Sequence, residues 1–141
     1  MSLCYNAWVI LKTNEPISLT NIARRLESGN PSDLIQSWLR SKNTVWFLGE
    51  WEHHNNDQLN EDAFQKLLKD IRSPSYTLTP KRWSKAVNAI GLESKRGQSD
   101  GIMAHSIIAC DFEIWHDMQF RYGVLKYFMC SRIVTDDEEW I

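Results

Sequence analysis

Two adjacent histidines, His53 and His54, first suggest metal chemistry. Neighbours on a helix diverge by about 100°, so their rings do not converge on one ion, and no cysteine or carboxylate stands at a recognised ligand spacing. His105 and His116 have no hydroxyl or thiol near them in the arrangement of an activated nucleophile. Glu50 and Glu52, two apart, face different sides of a helix and make no acid–base pair. No glycine loop of the kind that cradles di- or triphosphates is present. The expectation is a protein with no catalytic residues, no metal site and no cofactor. What remains is the distribution of cations.

Lysine and arginine total 16 against 18 acids, a net charge of −2. Four of those acids lie in Asp136–Glu139, which leaves 16 basic and 14 acidic residues, or +2, in the first 135. From Arg72 to Ser99 six bases (Arg72, Lys81, Arg82, Lys85, Lys95, Arg96) meet one acid, Glu93. From Asn43 to Asp62 there are five acids and no lysine or arginine. Lysine and arginine neutralise phosphates and release counterions, so the basic stretch points to nucleic acid.

The elements that carry these charges follow from caps and periodicity. Tyr5–Lys12 is apolar and β-rich, the pattern of a buried strand, and Ile17–Leu19 can return beside it. Thr20 or Asn21 should cap a short helix holding Ile22, Ala23 and Leu26 inward. Asn30-Pro31 with Asp33 starts a second, with Leu34, Ile35, Trp38 and Leu39 as its stripe. A third helix, capped by Thr44, turns Phe47, Leu48 and Trp51 inward. Asn60 caps a fourth, in which Phe64, Leu67, Leu68 and Ile71 repeat at helical spacing. Thr79-Pro80 opens a fifth over Trp83 and Val87. Beyond Asn88 the period changes: Ile90 and Leu92 alternate inward, Gly97–Gly101 breaks the chain, and Ile102–Ala104 returns, predicting a hairpin with a polar tip. Ser106 begins another helix with Ile108, Phe112 and Trp115 aligned. After a turn at His116-Asp117 a last helix lines Met118, Tyr122, Leu125 and Met129 along one side.

At 141 residues with 43% hydrophobic content the chain suits one domain, residues 1–135, followed by a short acidic tail, 136–141. Most of the seven tryptophans are expected in the core. No apolar run approaches the ~20 residues that span a bilayer. The N-terminus has neither a basic start nor a small-residue cleavage site. Cys4, Cys110 and Cys130, odd in number and far apart, suggest reduced thiols and a cytoplasmic setting.

Over roughly Ile17 to Phe128 the chain resembles the KilA-N domain of bacteriophages and large DNA viruses. The matching words are ISLTNIA (Ile17–Ala23), DLIQSWLR (Asp33–Arg40) and NTVWFLGEWE (Asn43–Glu52). They continue with Asn55-Asn56, Tyr76–Trp83, Asn88–Gly91, Ser94-Lys95, Gly97, Gly101, Ala104-His105, Ile108-Ala109, Phe112 and Trp115. The resemblance implies a non-catalytic, phage- or prophage-type module that binds double-stranded DNA, related in fold to fungal APSES-type winged-helix domains. It would act in the bacterial nucleoid, or in the host cell if phage-encoded, in a regulatory role. Relatives tend to read S-G-R-Y-G-G-T-F/Y-A-H at the wing, where this chain has Gln98, Ser99 and Asp100 in place of Arg, Tyr and Gly.

The expected fold is α+β: a winged helix-turn-helix-like domain of five or six short helices on a small antiparallel sheet, with the Ile90–Ala104 hairpin as wing. Lys95 and Arg96 would meet the DNA backbone or minor groove, with Gly97 and Gly101 permitting the turn. Arg40, Lys42 and Asn43 would approach from a helix pair, and Lys81, Arg82 and Lys85 would contact phosphates. Asn43 and Gln98 are the base-reading candidates, because amides can pair bidentately with adenine. Ser99 and His105 complete the set. The alternative is a protein-interaction module that kept the fold without DNA, favoured by Asp100, the acidic Asn43–Asp62 segment and the acidic tail.

Overall fold

Capping side chains set where most of the helices begin. The computed structural model describes residues 15–26, 29–94 and 101–134, with only the backbone path of 132–134. Among them are seven helices and three strands: β1 (Ile17–Ser18), α1 (Leu19–Arg25), α2 (Pro31–Leu39), α3 (Lys42–Asn55), α4 (Glu61–Asp70), α5 (Pro80–Val87), β2 (Leu92–Ser94), β3 (Ile102–Ala104), α6 (Ser106–His116) and α7 (Met118–Val134). Asn30, Asn60 and Thr79 cap α2, α4 and α5 through their side-chain oxygens, as their sequence positions predict. Each such cap is worth about 1 kcal/mol.

Two helix starts differ from expectation. The cap of α1 is Ser18, whose hydroxyl accepts from the Asn21 N–H at 3.0 Å, because β1 runs into the helix without a loop. Helix α3 begins at Lys42 behind Ser41, so Thr44 is buried inside its first turn. Leu48 and Trp51 are buried as predicted, and Phe47 is half-buried.

The sheet is antiparallel with β3 central, flanked by β1 and β2. In the hairpin Leu92 pairs with Ala104 and Ser94 with Ile102, while Ile17 pairs with Ala104 from the other edge. The α+β class and the hairpin are therefore as the sequence predicts. The expected strand Tyr5–Lys12 lies outside the described residues.

A single apolar core joins α1–α6 and the sheet. Its largest fully buried members include Trp38, Trp83, Phe64 and Phe112. Edge-to-face contacts order these rings, Trp38 on Phe112 at 5.2 Å and Phe64 on Trp83 at 6.0 Å between centroids. Gly49 leaves room for Phe64, since a β-carbon there would lie 2.2 Å from the ring.

Several side chains expected inside face solvent. Ile90 is 59% exposed: the strand begins only at Leu92, so the inward alternation that buries Leu92 does not extend back to it. Trp115, at 41%, lies at the end of α6 beyond the reach of the core that covers Ile108 and Phe112. Of the tryptophans, Trp38, Trp51 and Trp83 are buried and Trp46 and Trp115 are exposed; Trp8 and Trp140 lie outside the described residues. Helix α7 packs chiefly on α6, through Phe120 against Cys110 with Val124 beside them. Its Met118, Tyr122, Leu125 and Met129 side points away from the protein.

Candidate nucleic-acid interface

Arg40 ends α2 as its C-cap, Ser41 caps α3, and Lys42 and Asn43 form the first turn of α3. The two helices thus meet at a tight turn, and Arg40, Lys42 and Asn43 are all exposed there. Asn43 is inside the helix and is not its cap. The arrangement is held from beneath by Trp38, fully buried, whose indole N–H donates to Asp111 Oδ2 at 3.0 Å.

The segment from Arg72 to Thr79 then passes close to Arg40. Gln36 Nε2 donates to the Leu78 carbonyl at 2.9 Å and ties this loop to α2. One hollow is lined by Arg40, Ser73, Tyr76, Thr77 and Leu78 among others. A neighbouring cleft of about 570 Å³ is lined by Lys69, Asp70, Ser73, Ser75, Tyr76, Thr77 and Arg82. Ser73, Tyr76 and Thr77 belong to both, so Arg40 and Arg82 flank the same loop. Arg82 in turn shares a groove with Thr79, Lys81, Lys85 and Ala86. Among the described residues these adjoining hollows are lined by the cations Arg40, Lys69, Arg82, Lys81 and Lys85 and by one acid, Asp70. Arg82 is braced for this position: Nη1 donates to the Thr77 carbonyl at 2.6 Å, and its guanidinium lies 5.7 Å from the Tyr76 ring centroid.

The hairpin rises beside this run. Ser84 Oγ on α5 donates to the Leu92 carbonyl at 2.7 Å, which fixes β2 against the helix. At about 100° per residue, Lys81 and Lys85 lie roughly 60° and 100° around α5 from Ser84, on its solvent side. On the inner side the fully buried Glu52 carboxylate accepts from Gly91 N at 2.8 Å, from Ile90 N and from Asn56 Nδ2 at 2.8 Å. Gly91 must be glycine, since a β-carbon would come within 2.6 Å of Ile108 and 2.7 Å of Trp51. At the return, Gly101 has φ +64°, and Ile102 N donates to Thr20 Oγ1 at 3.1 Å.

The expected wing residues Lys95, Arg96, Gly97, Gln98 and Ser99, and the tail acids Asp136–Glu139, lie outside the described residues. His105 is half-buried and serves as the cap of α6. Its Nδ1 accepts from Ile107 N at 3.3 Å and from the Trp51 indole N–H at 3.2 Å.

Four of the five acids of the Asn43–Asp62 segment are exposed. Glu52 is internal, Glu50 pairs with His54 at 2.9 Å, and Glu61 pairs with His53. The Glu61 hydrogen bond raises the His53 pKa above its ordinary value, and His53 lowers that of Glu61. Under α2, burial pushes the Asp111 and Glu113 carboxyls upward, while Trp38 and Arg25 respectively oppose the shift. Cys110 beside them is raised to about 11, first by burial and then by these two carboxylates, which makes it an unreactive thiol. Among the described residues no three His, Cys, Asp or Glu side chains converge as metal ligands.

The sequence reading did not include Lys69, Tyr76 and Thr77 as groove residues, nor Glu52 and Ser84 as anchors of the hairpin. Glu52 had a signal: it falls four after Leu48, on the buried face of α3. Lys69 had none, because only the packing of α4 on α5 brings it to Arg82.

A model of the KilA-N domain matches residues 3–132. The chain belongs to the KilA-N family. This KilA-N domain is accordingly a member of a non-catalytic DNA-binding family, and no helix among its described residues is long and apolar enough to cross a membrane. No curated protein and no solved structure shows significant similarity to it.

Proposed function

We propose that this KilA-N domain binds double-stranded DNA through the α2–α3 turn, the α5 cations and the β2–β3 wing, as a phage-derived regulator. The observation that carries the reading is the series of adjoining hollows from Arg40 past Tyr76 and Arg82 to Lys81 and Lys85, the last two on α5, which Ser84 ties to the hairpin. Phosphates contacted along it would set the register of the protein on the duplex. Asn43, exposed in the first turn of α3, and Gln98 at the wing would read bases. Lys95 and Arg96 would extend the cationic run into the backbone or minor groove.

Mobility-shift titration of a random duplex and an operator-like duplex, at several salt concentrations, tests this. Each phosphate neutralised adds about −0.9 to the log–log salt slope, so Arg40→Ala, Lys81→Ala and Lys85→Ala together should flatten it by up to roughly 3 units. Failure of the wild-type protein to bind any duplex at low salt would end the DNA reading and leave the protein-interaction module in its place.

A further inference from the structure

Arg82 differs from the cations around it in how its side chain is held. Nη1 donates to the Thr77 carbonyl at 2.6 Å, and the guanidinium lies 5.7 Å from the centre of the Tyr76 ring. Both holds come from one loop, and that loop is itself fixed. Tyr76 N donates to the Ser73 carbonyl at 3.1 Å, the half-buried Tyr76 ring packs against the core, and the Leu78 carbonyl accepts from Gln36. Arg40, Lys81 and Lys85 are exposed as Arg82 is, but their side chains make no hydrogen bond or ion pair among the described residues. The Thr77 bond uses one of the five N–H donors of a guanidinium. Asp70, the acid of the same cleft, takes part in none of the ion pairs among the described residues, so it does not compete for the others.

We propose, on the footing of the DNA reading above, that Tyr76 is a positioning residue: its ring and the Thr77 carbonyl preset the Arg82 guanidinium to grip one backbone phosphate with its remaining N–H groups. A cation over a ring at an exposed site adds little to stability. Its effect here is on orientation. A free arginine gives up rotamer freedom when it engages a phosphate, and one already held gives up less. The planar fork also matches two phosphate oxygens at once, which a lysine in its place does not. Arg82 is then the preorganised contact of the groove, and Arg40, Lys81 and Lys85 are contacts that order on binding.

Two measurements on the full chain separate the brace from the DNA contact. In the free protein, nitrogen-15 relaxation at Arg82 Nε should give an order parameter above about 0.6, with Arg40 Nε below that value. Tyr76→Leu, which keeps apolar bulk against the core, should bring Arg82 down to the level of Arg40, and Tyr76→Phe should not. Arg82 as mobile as Arg40 in the wild-type protein overturns the proposal, whatever the DNA result. The second measurement is a double-mutant cycle by mobility shift on one random duplex at fixed low salt. Arg82→Lys should weaken wild-type binding at least about fivefold, and binding by the Tyr76→Leu protein less than about twofold. Tyr76→Phe should bind as the wild type does and show the full loss with Arg82→Lys. Circular-dichroism melting of each variant sets a temperature at which all are folded. Equal losses in the two backgrounds, or a Tyr76→Phe protein as weak as Tyr76→Leu, overturn the positioning role and leave the DNA reading standing. A wild-type protein that binds no duplex ends the DNA reading and the positioning role together.

Discussion

The carboxylate of Glu52 in the last turn of α3 accepts the backbone N–H of Gly91 at 2.8 Å, at the point where the chain enters the wing. The same carboxylate takes the Ile90 N–H and the Asn56 amide, so a side chain on a core helix satisfies the backbone of a turn thirty-nine residues away. Charged acceptors of buried N–H groups are worth more than neutral ones, and their loss leaves those donors unpaired.

Glu52→Ala should therefore lower unfolding free energy by about 3 kcal/mol, and Glu52→Gln, which keeps one acceptor, by about 1–2 kcal/mol. Urea denaturation of both variants measures this. A change below about 0.5 kcal/mol in Glu52→Ala would mean that the anchor contributes little.

Two glycines with positive φ separate strain from crowding. Gly29, at φ +92°, has open space around an added β-carbon, whereas at Gly101, φ +64°, that carbon would lie 2.5 Å from Thr20 Oγ1. Gly29→Ala should cost about 1 kcal/mol from backbone strain alone, and Gly101→Ala distinctly more. Equal midpoints in urea would remove the Thr20 contact from the account.

Asp111 makes stability depend on pH in the direction opposite to a paired surface carboxylate. Burial holds its folded pKa above the unfolded value near 4, so the folded state binds more protons between the two values. Its contribution to stability accordingly falls as pH rises through that window and is flat above it. Asp111→Asn keeps an oxygen for the Trp38 indole N–H and removes the charge. Relative to wild type, this variant should gain stability as pH rises from the unfolded carboxyl value near 4 through the raised folded value. A difference that does not change with pH would show that Asp111 titrates normally.

Wing and tail charges should modulate DNA affinity in opposite senses. Lys95→Ala with Arg96→Ala should flatten the salt slope by up to roughly 2 units. Asp100→Gly should tighten binding by removing an acid from the tip. Truncation after Thr135 should tighten it at low salt, with the gain shrinking above ~0.15 M, where screening acts within about 8 Å. An unchanged slope in the double alanine variant would shift attention to Arg40 and Lys81–Lys85.

Local chemistry in the sequence determined the helix starts at Asn30, Asn60 and Thr79, the stripes over Trp38, Phe64 and Trp83, the period change after Asn88 that makes the hairpin, and the family words from Ile17 to Trp115. Caps and periodicities act over one or two helical turns, so residue order alone specifies them. The outward faces of Ile90, Trp115 and α7, and the meeting of Arg40, Lys69 and Arg82 around one loop, depended on which elements pack together. A helical stripe states which residues share a side, but only a neighbouring element decides whether that side is buried. In α7 the Phe120 side found α6, and the Met118–Met129 side did not.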